Sequence, residues 1–403
     1  MSTQSVEVSL AQCLPNGVDA TLVGRVWRDS GVLHPGPCVV AVRNEKFFDI
    51  SARFPSMADV LVEDSPNTAV AAHDSDIEIG SAHDCHFGES LSIQKSRGWW
   101  LLPPGDLQPV KAAGVTFAVS LIERLIEERA KGDFSVASVV REEIEKQLGE
   151  RLETLKPGSN AAMLLRKDWI TRGWWSQYLE VGLGPRAEIF TKCSPMSSVG
   201  WGEAVGVLKE SNWSNPEPEV VLAISPGGAI VGATLGNDVN LRDIEGQSAL
   251  LLGQAKDNNA SCAMGPFIRL FDASFTLSDL MSSTINVEVQ GQDDYLLYGS
   301  SELSKISRTP QELVAQLMGR HHHYPDGVFL FLGTMFAPIQ DRDTPGRGFT
   351  HKTGDKVAIS TKYLGRLINE VKYCEEAPPW TYGLRNFLLY QSMRFLASKR
   401  EST

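Results

Sequence analysis

The sequence predicts a mixed β/α fold, mainly β, and three observations predict it. Short runs of β-forming residues recur at Ala20 to Val26, Cys38 to Val42 and Phe47 to Ile50, broken by Pro35, Gly36, Pro37 and Asn44. The stretch Asn215 to Leu222 and the apolar run Ala229 to Leu235 flank the turn Ser225-Pro226-Gly227-Gly228 and read as a pair of strands. Val328-Phe329-Leu330-Phe331-Leu332 is continuously apolar, the pattern of a strand covered on both faces.

The other elements follow in chain order. Ser56 to Val62 reads as a short helix after Pro55, with Ser56 as its N-cap. Glu63 to Gly98 is polar and reads as loop with weak strands. His83, Cys85 and His86 lie within it, but no second ligand cluster follows at zinc-site spacing. Val110 to Phe117 reads as a strand and Ser120 to Lys131 as a helix, whose stripe of Leu121, Ile122, Leu125 and Ile126 sits opposite a mostly charged side. Gly132-Asp133 stops it, and Ser135 to Leu152 starts a second helix; together they form a helical lid over about 120–155. Trp169, Trp174 and Trp175, between Ala161 and Tyr178, read as core or subunit contact. Ala187 to Lys192 is a strand that ends in a lysine. Ser248 to Leu252 is a short helix, and Phe267 to Leu270, Thr284 to Val289 and Tyr295 to Tyr298 are strands, the last two a hairpin. Thr309-Pro310 opens the helix Gln311 to Met318. His321-His322-His323 is a polar turn, and Asp341 to Gly348 a polar loop with solvated charges. Lys356 to Ser360 and Leu364 to Val371 complete the β structure.

A chain of 403 residues, 42% apolar and 22% charged, has the make-up of a soluble globular protein with room for two domains. Pro103-Pro104-Gly105 divides a small β-rich N-terminal domain, 1–105, from a larger one, 106–403. The net charge of -11, with no Lys/Arg cluster to offset it, disfavours nucleic acid and membrane as partners. Met1 to Val8 lacks the basic start and apolar core of a signal peptide, and no apolar run approaches the roughly 20 residues of a span, so the expected location is cytoplasmic. Cys13, Cys38, Cys85, Cys193, Cys262 and Cys374 form no Cys-x-x-Cys pair and are expected to be reduced and buried.

The chemistry concentrates around the pair of strands. Glu217 and Glu219, one residue apart in a strand, point to the same face. Two like charges entering a core cost on the order of several kcal/mol unless a cation neutralises them. Asp238, after the second run, supplies a third carboxylate, and three such groups suit Mg²⁺ or another hard cation. Arg242 and Lys256 follow as cations for an anionic substrate.

These residues also carry a resemblance. The Glu217/Glu219/Asp238 spacing, the string Asn237 to Asp243, Lys256 before Gly265-Pro266-Phe267, and Gly333-Thr334 resemble the fumarylacetoacetate hydrolase family over roughly residues 108 to 375. The fuller strings Asn215 to Val221, Lys256 to Ala263 and Phe331 to Gly346 are similar to its branch of 2-keto-3-deoxy-sugar-acid dehydratases. The resemblance implies a β-roll of mixed sheets in the C-terminal domain and a homodimer or homotetramer. It implies Mg²⁺, with Mn²⁺ or Ca²⁺ as alternatives, held by Glu217, Glu219 and Asp238. The implied substrate is a small 2-keto-3-deoxy sugar acid. Glu123, Lys192, Lys256 and Glu245 are the implied catalytic candidates; Arg242, Gly333, Thr334 and Ser120 are those for substrate binding.

The family's Gly-x-Asn-Tyr-x-x-His-x-x-Glu reads Gly114 to Glu123, with Ser120 in the histidine's place, and Glu245 stands where its hydrolases usually have Gln. Without the imidazole, hydrolysis loses its water-activating group, and dehydration is favoured. The alternatives are a hydrolase or decarboxylase of a β-dicarbonyl acid on the same scaffold, and a non-catalytic keto-acid-binding protein.

Overall fold

The pair of strands read around Ser225-Pro226-Gly227-Gly228 is a hairpin in the middle of the largest sheet. The computed structural model describes residues 8–401 apart from 16–19, 73–75, 132, 138, 143–154, 174–175, 337, 339 and 344–347. Its strands are β1 (Leu22–Arg28), β2 (Gly36–Arg43), β3 (Lys46–Asp49), β4 (Ile77–Ser81), β5 (Trp99–Leu102) and β6 (Val110–Gly114). Next come β7 (Glu188–Cys193), β8 (Ala204–Val207), β9 (Ser214–Asn215), β10 (Pro218–Ile224), β11 (Ile230–Asp238), β12 (Asn240–Leu241) and β13 (Cys262–Leu270). The last are β14 (Thr284–Gln290), β15 (Leu296–Glu302), β16 (Val328–Phe331), β17 (Lys356–Thr361) and β18 (Gly365–Tyr373).

Among the described residues these make three sheets. The largest runs β4-β3-β2-β1-β13-β11-β10-β16-β6-β7, with β5 beside β1; the second is β15-β14-β17-β18-β8, and β12 pairs with β9. The architecture is mixed and mostly sheet, as expected. The strands before residue 105 continue the same sheet as those after it, because Leu22 and Val23 of β1 pair with Arg269 and Ile268 of β13.

Strand β10 explains why the sheet is layered on both sides. All seven of its residues are buried, and alternation sends them into two different cores. Val220, Leu222 and Ile224 pack with Leu235, Phe267 and the inner face of the second sheet, including Val287, Val289, Ile359 and Leu367. Val221 and Ala223 pack with Met264, Phe329 and Phe331, and with Met57, Val60 and Leu61 of the helix Met57–Leu61. Ser56 caps that helix as expected, accepting from the Asp59 N–H. A third core joins Leu121, Leu125 and Ile126 of the helix Ala118–Ala130 to Trp169 of the helix Asn160–Thr171 and to Leu179 and Leu183 of the helix Gln177–Leu183. Trp169 is therefore core; Trp174, Trp175 and most of the expected second lid helix lie outside the described residues. No helix among the described residues is long and apolar enough to cross a membrane.

Two expectations are corrected and one element is added. The stretch Glu63 to Gly98 contains the helices Pro66–Ala71 and Leu91–Arg97 and the paired strand β4, because neighbours rather than its own periodicity order it. The C-terminal helix Leu384–Glu401 was not expected: Phe387 and Tyr390 are buried while Leu388, Leu389, Phe395 and Leu396 are exposed, so its apolar residues make no single stripe. The loop Asp341 to Gly348 is not merely solvated. Arg342 is buried and grips both Asp355 oxygens at 2.7 and 2.8 Å and Asp293 at 2.8 Å, with the Tyr295 ring 4.8 Å away.

That cluster sets an acid limit on stability. Burial alone raises the Asp355 carboxyl, but His351 and Arg342 offset this and leave it lowered; burial holds the His351 imidazole lowered against the pull of Asp355. Both groups contribute stability that is complete above their unfolded values of about 4 and 6.5 and is lost as pH falls through the lowered folded values. The melting temperature should fall as pH is taken from 7 towards 3. An Asp355→Asn variant should be about 3 kcal/mol less stable at pH 7, since it leaves a buried guanidinium short of a partner. Its melting curve should also be flatter below pH 4, which thermal melts across pH would check.

Candidate active site

The acid cluster follows from the register of the hairpin. Glu219 lies opposite Gly236 in the β10–β11 ladder, and the Asp238 N–H donates to the Glu217 carbonyl at 3.0 Å, carrying the pairing past the end of β10. Each of the buried residues Glu217, Glu219 and Asp238 offers a carboxylate oxygen within 4.8 Å of the other two. The Glu217 N–H is held by Asn237 Oδ1 at 3.1 Å.

The Gly333 N–H donates to Glu219 Oε2 at 2.6 Å. Gly333 has φ +88°, and a Cβ there would stand 2.1 Å from Thr116 Oγ1, so the close approach requires glycine. The neighbouring Thr334 hydroxyl lies 3.3 Å from that of Ser301 and accepts the Phe336 N–H at 3.0 Å.

Two lysines reach this cluster. Lys256, ending the helix Leu252–Lys256, places Nζ 2.5 Å from Glu217 and 3.3 Å from Asp238. Lys192, wholly buried at the end of β7, lies 2.9 Å from Asp238 and donates to the carbonyls of Val239 and Lys256. Burial would lower the Lys256 ammonium, but Asp238, Glu217 and Glu245 leave it raised; burial would raise Asp238, but the two lysines leave it lowered. Glu219 has no ion-pair partner among the described residues. Burial, then repulsion from Asp238 and Glu217, raises it well above the carboxylate range.

A second layer surrounds the cluster. Arg124 donates to Glu217 at 2.8 Å, Glu127 at 2.7 Å and Glu245 at 2.6 Å. Arg242, expected to bind substrate, donates to Glu123 at 2.7 Å and Glu127 at 2.6 Å, with its guanidinium 4.4 Å from the centre of the Trp213 ring. Glu123, expected as a base, is held by Arg141 as well. Burial raises its carboxyl, and the two arginines more than offset that and leave it lowered. Ser120 accepts the Phe117 N–H at 3.1 Å and donates to the Phe117 carbonyl at 2.7 Å, closing the first turn of its own helix. Burial raises Glu245 to about 7, against Arg124 and Lys256.

The structure thus brings all eleven sequence candidates into one region and adds three that the sequence reading did not single out: Arg124, Glu127 and Glu188. Arg124 and Glu127 read as the solvated side of an amphipathic helix, a side that is turned onto the acid cluster. Glu188 shares the strand β7 with Lys192 at even spacing, a signal that was present in the sequence. Burial raises the Glu188 carboxyl, with Arg124 and Lys256 opposing.

Seven carboxylates here face five cations, Arg124, Arg141, Lys192, Arg242 and Lys256. Were all seven ionised, two positive charges would be missing; that shortfall, with the unpaired Glu219, fits a divalent cation held by Glu217, Glu219 and Asp238. Two small cavities of ≈ 20 Å³ each adjoin the cluster. A larger one of ≈ 810 Å³, lined by Met318, His322 and His323 beyond the hairpin turn, contains no acid.

A buried three-carboxylate cluster flanked by two lysines, on a hairpin inside a large mixed sheet, is an arrangement that could hold a metal ion. Residues 226–372 match the family model for the fumarylacetoacetate (FAA) hydrolase C-terminal domain, and the chain resembles the family's 2-keto-3-deoxy-sugar-acid dehydratase branch. It is 34% identical over 187 residues to a 2-dehydro-3-deoxy-D-arabinonate dehydratase of Saccharolobus solfataricus, which covers 46% of this chain and 59% of the relative. It is 31% identical over 194 residues to a probable 2-keto-3-deoxyxylonate dehydratase of Haloferax volcanii, covering 48% and 63%. The chain therefore spans less than two thirds of the length of these curated relatives. A solved 2-keto-3-deoxy-D-arabinonate dehydratase, complexed with magnesium and 2,5-dioxopentanoate, shares the fold with a TM-score of 0.58 at 22% identity, covering 87% of this chain and 99% of that one.

Proposed function

We propose that the protein is a divalent-metal-dependent dehydratase that converts 2-keto-3-deoxy-D-xylonate, or a related 2-keto-3-deoxy-pentonate, to 2,5-dioxopentanoate. The observation that carries this reading is the buried Glu217/Glu219/Asp238 cluster with Lys256 beside it. The named relatives and the solved dehydratase support the substrate class. Mg²⁺ is the proposed ion, and a hard cation bound by these three acids would supply Lewis acidity to the carbonyl of a 2-keto acid.

The chain's own residues then have separable tasks. Gly333 and Thr334, next to Glu219, orient the substrate carboxylate. Lys256 and Lys192 offset negative charge that develops on the keto oxygen when C3 loses a proton. Glu188 and Glu245 keep raised carboxyls at the rim of the same cavity, which suits them to move protons at C3 and to the departing C4 hydroxyl. Glu123 serves by holding Arg242 and Arg141. Loss of the C4 hydroxyl and a proton shift from C5 complete the conversion to the aldehyde.

The reading extends to a cytoplasmic homo-oligomer, dimer or tetramer. Hydrolysis or decarboxylation of a β-dicarbonyl acid is the rival on the same scaffold. Ser120, spent on its own helix turn, offers no imidazole for it.

Turnover of 2-keto-3-deoxy-D-xylonate, followed through a semialdehyde dehydrogenase, should cease in EDTA and return with Mg²⁺. Turnover indifferent to EDTA would overturn the metal assignment. Cleavage of a β-dicarbonyl acid with no action on the sugar acid would favour the rival.

A further inference from the structure

Beside the metal cluster, Asn215 and Asn240 stand directly opposite each other in the β9–β12 ladder, so their side chains share one face. Both are more than nine-tenths buried. The Asn215 amide is oriented by its Nδ2, which donates to the Pro216 carbonyl at 2.9 Å, and this leaves Oδ1 without a partner among the described residues. Asn240 Oδ1 is likewise unpartnered. Buried acceptors are rarely left so.

The two asparagines line the same small cavity as Glu123, Arg242 and Thr334, and that cavity abuts the one holding Lys256: Ser120, Arg124, Glu217 and Thr334 line both. The two ends of the site therefore differ in chemistry. One has lysines, the Gly333-Thr334 turn and the metal acids, and suits a keto carboxylate. The other adds two amide oxygens to Arg124 and Arg242, whose guanidiniums are already paired with Glu123, Glu127, Glu217 and Glu245, so it offers an anion no free cation and favours a neutral hydrogen-bond donor.

We infer that Asn215 and Asn240 form a subsite that accepts hydrogen bonds from the terminal hydroxyl of a polyhydroxy keto acid, and so selects sugar-derived acids over plain 2-keto acids. This rests on the function proposed above. The probes are 2-oxopentanoate and 5-hydroxy-2-oxopentanoate, which share the keto acid head, lack the C4 leaving group and differ only in the terminal hydroxyl.

As competitive inhibitors of the Mg²⁺-loaded wild-type protein, the hydroxylated compound should bind at least about tenfold more tightly, because a site built around hydroxyl acceptors discriminates against the analogue lacking that group. In Asn240→Leu or Asn215→Leu the ratio of the two inhibition constants should fall to about two or less. Equal binding of both compounds by the wild-type protein overturns the subsite while leaving the keto-acid reading intact, and needs no variant to fold. If neither compound binds, and the wild-type protein with Mg²⁺ exchanges no C3 hydrogen of 2-oxopentanoate in D₂O, the function proposed above fails and the subsite with it.

Discussion

A Glu219→Gln variant should be more stable than the wild-type protein when free of metal, and nearly inactive when metal is added. Glu219 is buried beside two other carboxylates, and its hydrogen bond from Gly333 is one a glutamine oxygen also accepts. Removing a carboxyl that ionises in the unfolded chain but is kept from ionising in the metal-free fold should stabilise that fold by about 1–3 kcal/mol. The same change takes away one of three oxygen ligands, which should weaken Mg²⁺ binding by at least about 100-fold, since even outer partners of a metal ligand are worth 10–100-fold. Turnover should drop by on the order of 10³. Thermal melts with and without Mg²⁺ read the opposing effects independently of activity. The wild-type melting temperature should rise with the ion and that of the variant should not. A destabilised metal-free variant would show that Glu219 is held by something other than the expected cation.

Arg242→Met separates two roles for one guanidinium. In the structure Arg242 neutralises Glu123 and Glu127 and packs against Trp213. If that is its work, the variant strands two buried carboxylates and should lose about 3–5 kcal/mol in urea denaturation, with Arg242→Lys recovering only part because an ammonium cannot serve both acids in the same fork. The Michaelis constant for the keto acid should then change less than about threefold wherever the protein remains folded. A stable variant whose Michaelis constant rises more than about tenfold would instead return Arg242 to direct contact with substrate.

The inner site was legible because its signals are local. Glu217 and Glu219 are placed by the period of a strand and Asp238 by the hairpin that follows, so short-range rules are enough to bring the three together. Lys256 was read from its place after the acids and Lys192 through motif resemblance, and Glu188 lies on the same strand as Lys192. The outer layer was hidden for a different reason. Arg124 and Glu127, like Glu123, which only the motif resemblance singled out, occupy the charged side of an amphipathic helix, and nothing in a single sequence distinguishes a charged side facing water from one facing counter-charges across a tertiary contact. The same limit hid Arg342, whose partners Asp293 and Asp355 lie outside its loop. It also hid the C-terminal helix, whose apolar side chains have no common face.

The pairing of β1 with β13 bears on how this molecule can be divided. The first hundred residues contribute strands to the sheet that carries the acid hairpin, and a cut at residue 105 would strip one edge of β13 of its hydrogen-bonding neighbour. A bare edge on a wholly buried strand is a template for association between chains. On this register, recombination or gene trimming that moves the half with the acid cluster alone would carry a sticky margin along with it.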